Sequence, residues 1–253
     1  MGGALARAVA KALGGDALLL SDIAPQKAES LARELGARAV GTEELVRTAS
    51  VIVLGVKPQV AKDTLSPLKS ILAERADAFF LVSMLAGTST EQIVSYAGGA
   101  YPVVRIMPNL PAAIGAGMIL YTLRDVSEQD EAFFKQAFAQ AGMLDSVPES
   151  MMDAAAALTG CGPAFASLFI EALADGAVSC GVPRAKAQVY AEQMVLGTAR
   201  YLIETGTHPA ALKDAVCSPG GTTIAGVEAM EASAFRAAAA SAVTAAFEKT
   251  KRL

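Results

Sequence analysis

Ser218-Pro219-Gly220-Gly221-Thr222-Thr223, inside the longer segment 214–231, has the composition of a tight turn that feeds a helix. Pro219 fixes one φ angle, Gly220 and Gly221 permit positive φ and close backbone approach, and the two threonines are able to cap the helix that begins there. Such a turn gathers free backbone N–H groups and the positive end of a helix at one point, which suits a small anion such as a carboxylate or a phosphate. A plain helix–helix corner uses the same residue types, and the local sequence does not separate the two readings.

Other reactive side chains are sparse. His208 is the one histidine of the chain and sits in a Gly-Thr-His-Pro turn before a short helix, where a solvated or capping role is expected. Neither a Ser-His-Asp set nor a metal-ligand cluster can be assembled around it, so no metal is expected. Cys161, Cys180 and Cys217 are odd in number and lack metal-type spacing, which points to a reducing, cytoplasmic setting. Cys217 adjoins the glycine turn but has no basic neighbour in sequence to activate it, and is read as a small buried residue.

The elements that must position these groups follow from periodicity. Leu5, Val9 and Leu13 share a helical face closed by Gly14-Gly15, and residues 25–35 form a helix opened by Pro25 and closed by Gly36. Thr42 is placed as the cap of a helix running to Thr48, and residues 59–72 form a helical stretch interrupted at Pro67. Strands are expected at 17–20, 38–40, 51–56, 79–84, 102–106 and 118–121, the run Val51 to Val56 being the strongest. Strand–helix alternation at this spacing implies a Rossmann-like, doubly wound, mostly parallel α/β sheet that binds ligands beyond the strand C-terminal ends. Those ends carry Val56-Lys57-Pro58, Ala86-Gly87 and Met107-Pro108-Asn109, which should line one crevice.

The pattern changes near Val147-Pro148, and the remainder reads as helical. Two domains are therefore expected, a dinucleotide-binding domain over 1–148 and an all-helical domain over 149–253. Hydrophobic residues make up 53% of the 253 and charged residues 18%, an apolar balance that implies a further subunit over part of the surface. The formal charge of −4 and the lack of a Lys/Arg cluster argue against nucleic acid. Val103 to Leu123 is the most membrane-like window, but Arg105, Pro108, Asn109 and Pro111 interrupt it, and no membrane span is expected.

Taken in order, Val56-Lys57-Pro58-Gln59, Ser83 to Gly87, Arg105-Ile106-Met107-Pro108-Asn109, Leu158-Thr159-Gly160-Cys161-Gly162-Pro163-Ala164 and Val216 to Thr223 resemble the landmarks of the pyrroline-5-carboxylate reductase family. The resemblance runs from the first residues to about Met230. It implies NADPH- or NADH-dependent reduction of L-1-pyrroline-5-carboxylate to L-proline, with a homodimer built on the helical domain and assembly into a larger ring as an option. By the same resemblance the substrate carboxylate is held by Ser218, Gly220, Gly221, Thr222 and Thr223. Thr223 then acts as the catalytic hydroxyl on the ring nitrogen, or else merely caps its helix. Gly2, Ser21, Asp22, Val56, Lys57, Pro58, Ala86, Gly87, Met107 and Asn109 match the cofactor-binding positions. Asp22 departs from a pattern that favours NADPH, since a carboxylate there suits the ribose hydroxyls of NADH.

Compared with the family, Gly2 matches the last glycine of the dinucleotide fingerprint, and the preceding strand and two glycines do not appear before it. The expectation is that this segment lies upstream, and that without it two strands are left with unpaired ladder groups. Two other readings remain: reduction of a different cyclic imino acid, and a cofactor-poor protein that binds proline or assembles with a complete paralogue.

Overall fold

Leu5 and Ala8 lie on the buried face of α1 (Gly2–Leu13) and share a core with Phe80, Val82, Val104 and Ile106, while Val9 and Leu13 pack at its margin. The computed structural model describes residues 1–250. After α1 the chain runs through β1 (Leu19–Leu20), α2 (Pro25–Leu35), β2 (Arg38–Ala39), α3 (Thr42–Thr48), β3 (Val51–Leu54), α4 (Pro58–Leu65) and α5 (Lys69–Ala73). It continues through β4 (Phe80–Ser83), α6 (Thr90–Ala97), β5 (Val103–Met107), β6 (Gly117–Arg124), α7 (Glu128–Phe138), β7 (Gly142–Ser146) and α8 (Glu149–Thr159).

These strands form two sheets. β1 and β2 pair in parallel by themselves, and β3-β4-β5-β6-β7 form the second sheet, parallel at every junction except β5–β6. The mostly parallel arrangement matches the sequence pattern, but no ladder joins β1 to β3 among the described residues. Val53 of β3 is 41% exposed. The two-stranded piece is tied to the rest through α1, where Arg7 donates from two guanidinium nitrogens to Glu34 of α2, each at 2.7 Å.

Element identities follow the sequence, and the differences are local. The strand expected over 51–56 stops at Leu54, because Lys57 becomes the N-cap of α4 and Pro58 its first residue. β7 was not foreseen; it is a half-exposed edge strand whose Met143, Asp145 and Ser146 give little alternation to read. Gly41, not Thr42, is the N-cap of α3, and the Thr42 hydroxyl instead pairs with that of Ser21 at 2.8 Å.

The chain divides into Met1–Cys161 and Gly162–Ala246, with the last turns of the C-terminal helix counted in the first unit. The division thus falls after α8, one helix later than the expected boundary at 148. The reason is packing: α8 buries Met152 in a cluster with Leu120 of β6 and Val147.

The second unit is built from α9 (Gly162–Ser179), α10 (Arg184–Thr205), α11 (Pro209–Val216), α12 (Thr222–Ala232) and α13 (Phe235–Thr250). Its buried cluster consists of Ala174, Ala187 and Ala191 between α9 and α10, with partly buried residues around them. Leu168, Val189, Leu196 and Ile203 are left in solvent, Ile203 being 75% exposed. A helical unit with so small a core and so much apolar surface is shaped to meet another chain. The one stretch of the described residues long and apolar enough to cross a membrane by length and composition is Glu149–Ser179, not Val103–Leu123, which holds β5 and most of β6.

Candidate functional site

The sheet unit carries a candidate site at the edge where β3, β4 and β5 end. These three strands are parallel neighbours, so the segments that leave them, Val56-Lys57-Pro58, Ala86-Gly87 and Met107-Pro108-Asn109, emerge on the same side. Gly2 joins them: its Cα lies 3.9 Å from the point where a Cβ on Gly55 would stand, immediately before Val56. α1 begins there with no side chain capping its first turn, no acidic residue in that turn and open space where a Gly2 Cβ would be. Uncapped N–H groups at the start of a 12-residue helix are a fit for an anionic pyrophosphate. Lys57 is exposed and makes no ion pair among the described residues, which leaves its charge available to a phosphate. Gly87 has φ +67, a backbone state that admits glycine and strains other residues.

Ser21 and Asp22 follow β1, on the two-stranded piece. Asp22 Oδ1 accepts from the N–H of Ala24 at 2.8 Å, which fixes the carboxylate just ahead of α2. This is the position at which a dinucleotide fold meets the adenosine ribose. A shallow depression lined by Glu29, Ala32, Arg33, Gly36, Ala37 and Ala39 lies on α2 and the segment after it, and includes none of the candidate residues.

Asn109 has a role the sequence did not reveal. Its side chain is buried, donates to the Thr159 carbonyl at 3.0 Å and accepts from the Met118 N–H at 2.9 Å, so it is committed to holding its own loop against β6 and α8. Glu149, which the sequence reading did not single out, holds the neighbouring loop. Its carboxylate accepts from the Thr90 N–H at 2.7 Å and from the Thr90 hydroxyl at 2.8 Å. Arg105, 3% exposed on β5, donates to Glu149 at 3.3 Å and to Asp153 at 2.7 Å. Burial pushes the Glu149 carboxyl up, but the hydrogen bonds from Thr90 and the charge of Arg105 outweigh it and hold the carboxyl below its ordinary range. A lowered folded value stabilises above the ordinary carboxylate range and is lost as pH falls through it, so this tie is complete at neutral pH.

The helical unit carries a candidate site of its own. The N–H of Gly221 donates to the Ser218 carbonyl at 3.0 Å, with Pro219 and Gly220 (φ +66) between them, which is the residue pattern of a type II turn. A Cβ on Gly221 would crowd the Ser218 hydroxyl and stand 3.1 Å from the Ser218 carbonyl, so a larger residue there would turn that hydroxyl away. Gly221 is the N-cap of α12, and no side chain caps this end. Thr222 and Thr223 are the first two helical residues rather than caps, which corrects the sequence reading. Their hydroxyls stay available, and the first-turn N–H groups of Thr222, Thr223 and Ile224 precede the first helical bond, made by Ala225 to Gly221. His208 is the N-cap of α11, its Nδ1 accepting from Ala210 at 3.2 Å. Among the described residues no group of His, Cys, Asp and Glu could hold a metal ion.

The comparisons agree on the whole chain. Residues 149–253 match the family model described as pyrroline-5-carboxylate reductase dimerisation, and residues 1–87 match the one described as NADP oxidoreductase, coenzyme F420-dependent. A pyrroline-5-carboxylate reductase from Synechocystis is 44% identical over 215 residues, covering 83% of this chain and 78% of that one. The one from Escherichia coli is 38% identical over 231 residues, covering 90% and 85%. Among solved structures, a Plasmodium falciparum pyrroline carboxylate reductase with NADP bound superposes with a TM-score of 0.88 at 30% identity, covering 100% of this chain and 94% of that one. An imine reductase from Pseudomonas, with a TM-score of 0.56 at 22% identity, shares the fold. With an uncapped helix start on the sheet unit, a glycine turn on the helical unit and relatives of this similarity along most of its length, the chain belongs to the pyrroline-5-carboxylate reductase family, a Rossmann-like sheet followed by an oligomer-forming helical domain.

Proposed function

We propose that the chain reduces L-1-pyrroline-5-carboxylate to L-proline with NADPH or NADH. The observation that carries this reading is the uncapped start of α12 behind the Ser218–Gly221 turn, which offers N–H donors and two hydroxyls. That equipment suits a reaction in which the nicotinamide, when bound, supplies the hydride. The chain's own residues then have three tasks. Ser218, Gly220 and Thr222 hold the substrate carboxylate through backbone and hydroxyl donors, while Gly221, whose N–H closes the turn on the Ser218 carbonyl, shapes the loop that presents them. Thr223 donates a hydrogen bond to the ring nitrogen and relays the proton that nitrogen gains. Gly2, Ser21, Asp22, Val56, Lys57, Pro58, Ala86, Gly87 and Met107 hold the dinucleotide, with Asn109 keeping its loop in place.

Thr223→Ala is expected to leave the dissociation constant of the nicotinamide nucleotide unchanged and to lower kcat by about ten- to a hundredfold. Fluorescence titration and steady-state rates measure the two separately, and an unchanged kcat removes Thr223 from the mechanism. Asp22→Ser is expected to shift the ratio of kcat/KM values toward NADPH by about tenfold or more, because a fixed carboxylate near the ribose repels the 2′-phosphate. Initial rates with both nucleotides on both proteins check this, and an unmoved ratio clears Asp22 of the discrimination.

The chain forms a homo-oligomer through its helical domain; association of homodimers into a larger ring is the further proposal, supported by apolar faces exposed on both α9 and α10. Cys161, Cys180 and Cys217 are all free thiols, which fits a cytoplasmic home.

A further inference from the structure

The two loops read as the wall of the cofactor crevice, Ala86-Gly87 and Met107-Pro108-Asn109, are held by one helix that contributes nothing to the crevice itself. α8 reaches the first through Glu149 and Thr90, and the second through the Thr159 carbonyl and Asn109. We infer that Glu149 is a positioning residue for the nicotinamide cofactor, its carboxylate fixing where the Ala86–Ser89 loop sits while Arg105 fixes Glu149.

The argument turns on what Glu149 is not needed for. α6 has its own complete N-terminal cap: Gln92 N–H donates to the Ser89 hydroxyl at 3.2 Å, and Ser89 N–H donates to the Gln92 side chain at 2.8 Å. The helix therefore forms without Glu149. Arg105 likewise keeps a carboxylate partner if Glu149 is removed, because Asp153 lies 2.7 Å away on the next turn of α8. What Glu149 alone supplies is the clamp on Thr90, a buried residue three positions after Gly87, taking both its N–H and its hydroxyl. Without that clamp two buried donors lose their acceptor and the start of α6 shifts to find water, moving the Ala86-Gly87 loop with it. Helix and strand survive, and placement is lost.

This inference rests on the proposed role of those loops in binding the nucleotide, and the test separates the two. Purified wild type, Glu149→Ala and Glu149→Gln are titrated with NADPH and NADH by fluorescence, assayed for KM and kcat, and followed by amide hydrogen exchange over residues 86–90. Glu149→Ala is expected to weaken nucleotide binding by about tenfold or more, to speed exchange over 86–90 and to leave the KM for pyrroline-5-carboxylate unchanged, a small displacement being costly at a positioned site. Glu149→Gln keeps an acceptor for the Thr90 N–H and should recover most of the affinity. An alanine variant that binds the nucleotide as tightly as a wild type that itself binds overturns the inference alone. A wild type that binds neither nucleotide overturns the reading of the crevice and the inference together.

Discussion

Gly220→Val is expected to abolish substrate capture while leaving the nucleotide side of the enzyme intact. Gly220 sits at φ +66, and a β-branched residue held in that region is strained by about 1–3 kcal/mol. Nothing lies within 4 Å of a Cβ at this position, so the damage comes from the backbone and not from crowding. The turn escapes the strain by flipping its central peptide from type II to type I, which keeps the Gly221 to Ser218 bond but turns the Gly220 N–H to the opposite face. A displacement of this size at a binding group costs about a hundredfold, to be seen in kcat/KM for pyrroline-5-carboxylate with an unchanged nucleotide dissociation constant. An unaltered KM for the imino acid would mean that this turn does not touch the substrate. The thermal midpoint should move little, because the segment is at the surface and buries no large side chain.

Charging the exposed face of α10 should take the assembly apart. Leu196 and Ile203 are seven positions apart on one face of this helix and both are exposed in the single chain. Aspartate at both positions is harmless on a face that meets water, but in a subunit interface it buries two unpaired charges at several kcal/mol each. Light scattering on the double variant is expected to give the mass of one chain, 25.9 kDa, where the parent gives a multiple of it. Turnover should fall with it, since the apolar helices lose the partner that covers them. A double variant with the parent's mass would place the interface on another face of the helical unit.

How much of this was legible depended on how local the signal was. α2 is bounded by Pro25 and Gly36, each placed by its own backbone preference, and its limits match the sequence reading residue for residue. β3 declares itself through Val51-Ile52-Val53, but it ends two residues short of the β-branched run because Lys57 caps the helix that Pro58 starts. The glycine turn was recognisable, yet the threonines were assigned to capping when Gly221 takes that place without any side chain. Asn109 was marked by its motif, but its task depends on Thr159, 50 positions away. Glu149 was invisible for the same reason: Arg105 and Thr90 stand 44 and 59 positions from it, and no period or spacing rule reaches that far. Ser89 to Gln92 is the opposite case, a capping box that the local pattern Ser-x-x-Gln announces.

The small core of the helical unit has an outcome for how the protein melts. Ala174, Ala187 and Ala191 form its buried cluster, while Leu168, Leu196 and Ile203 stay wet until a second copy covers them. Association stabilises by mass action, so the thermal midpoint should climb as the protein is concentrated.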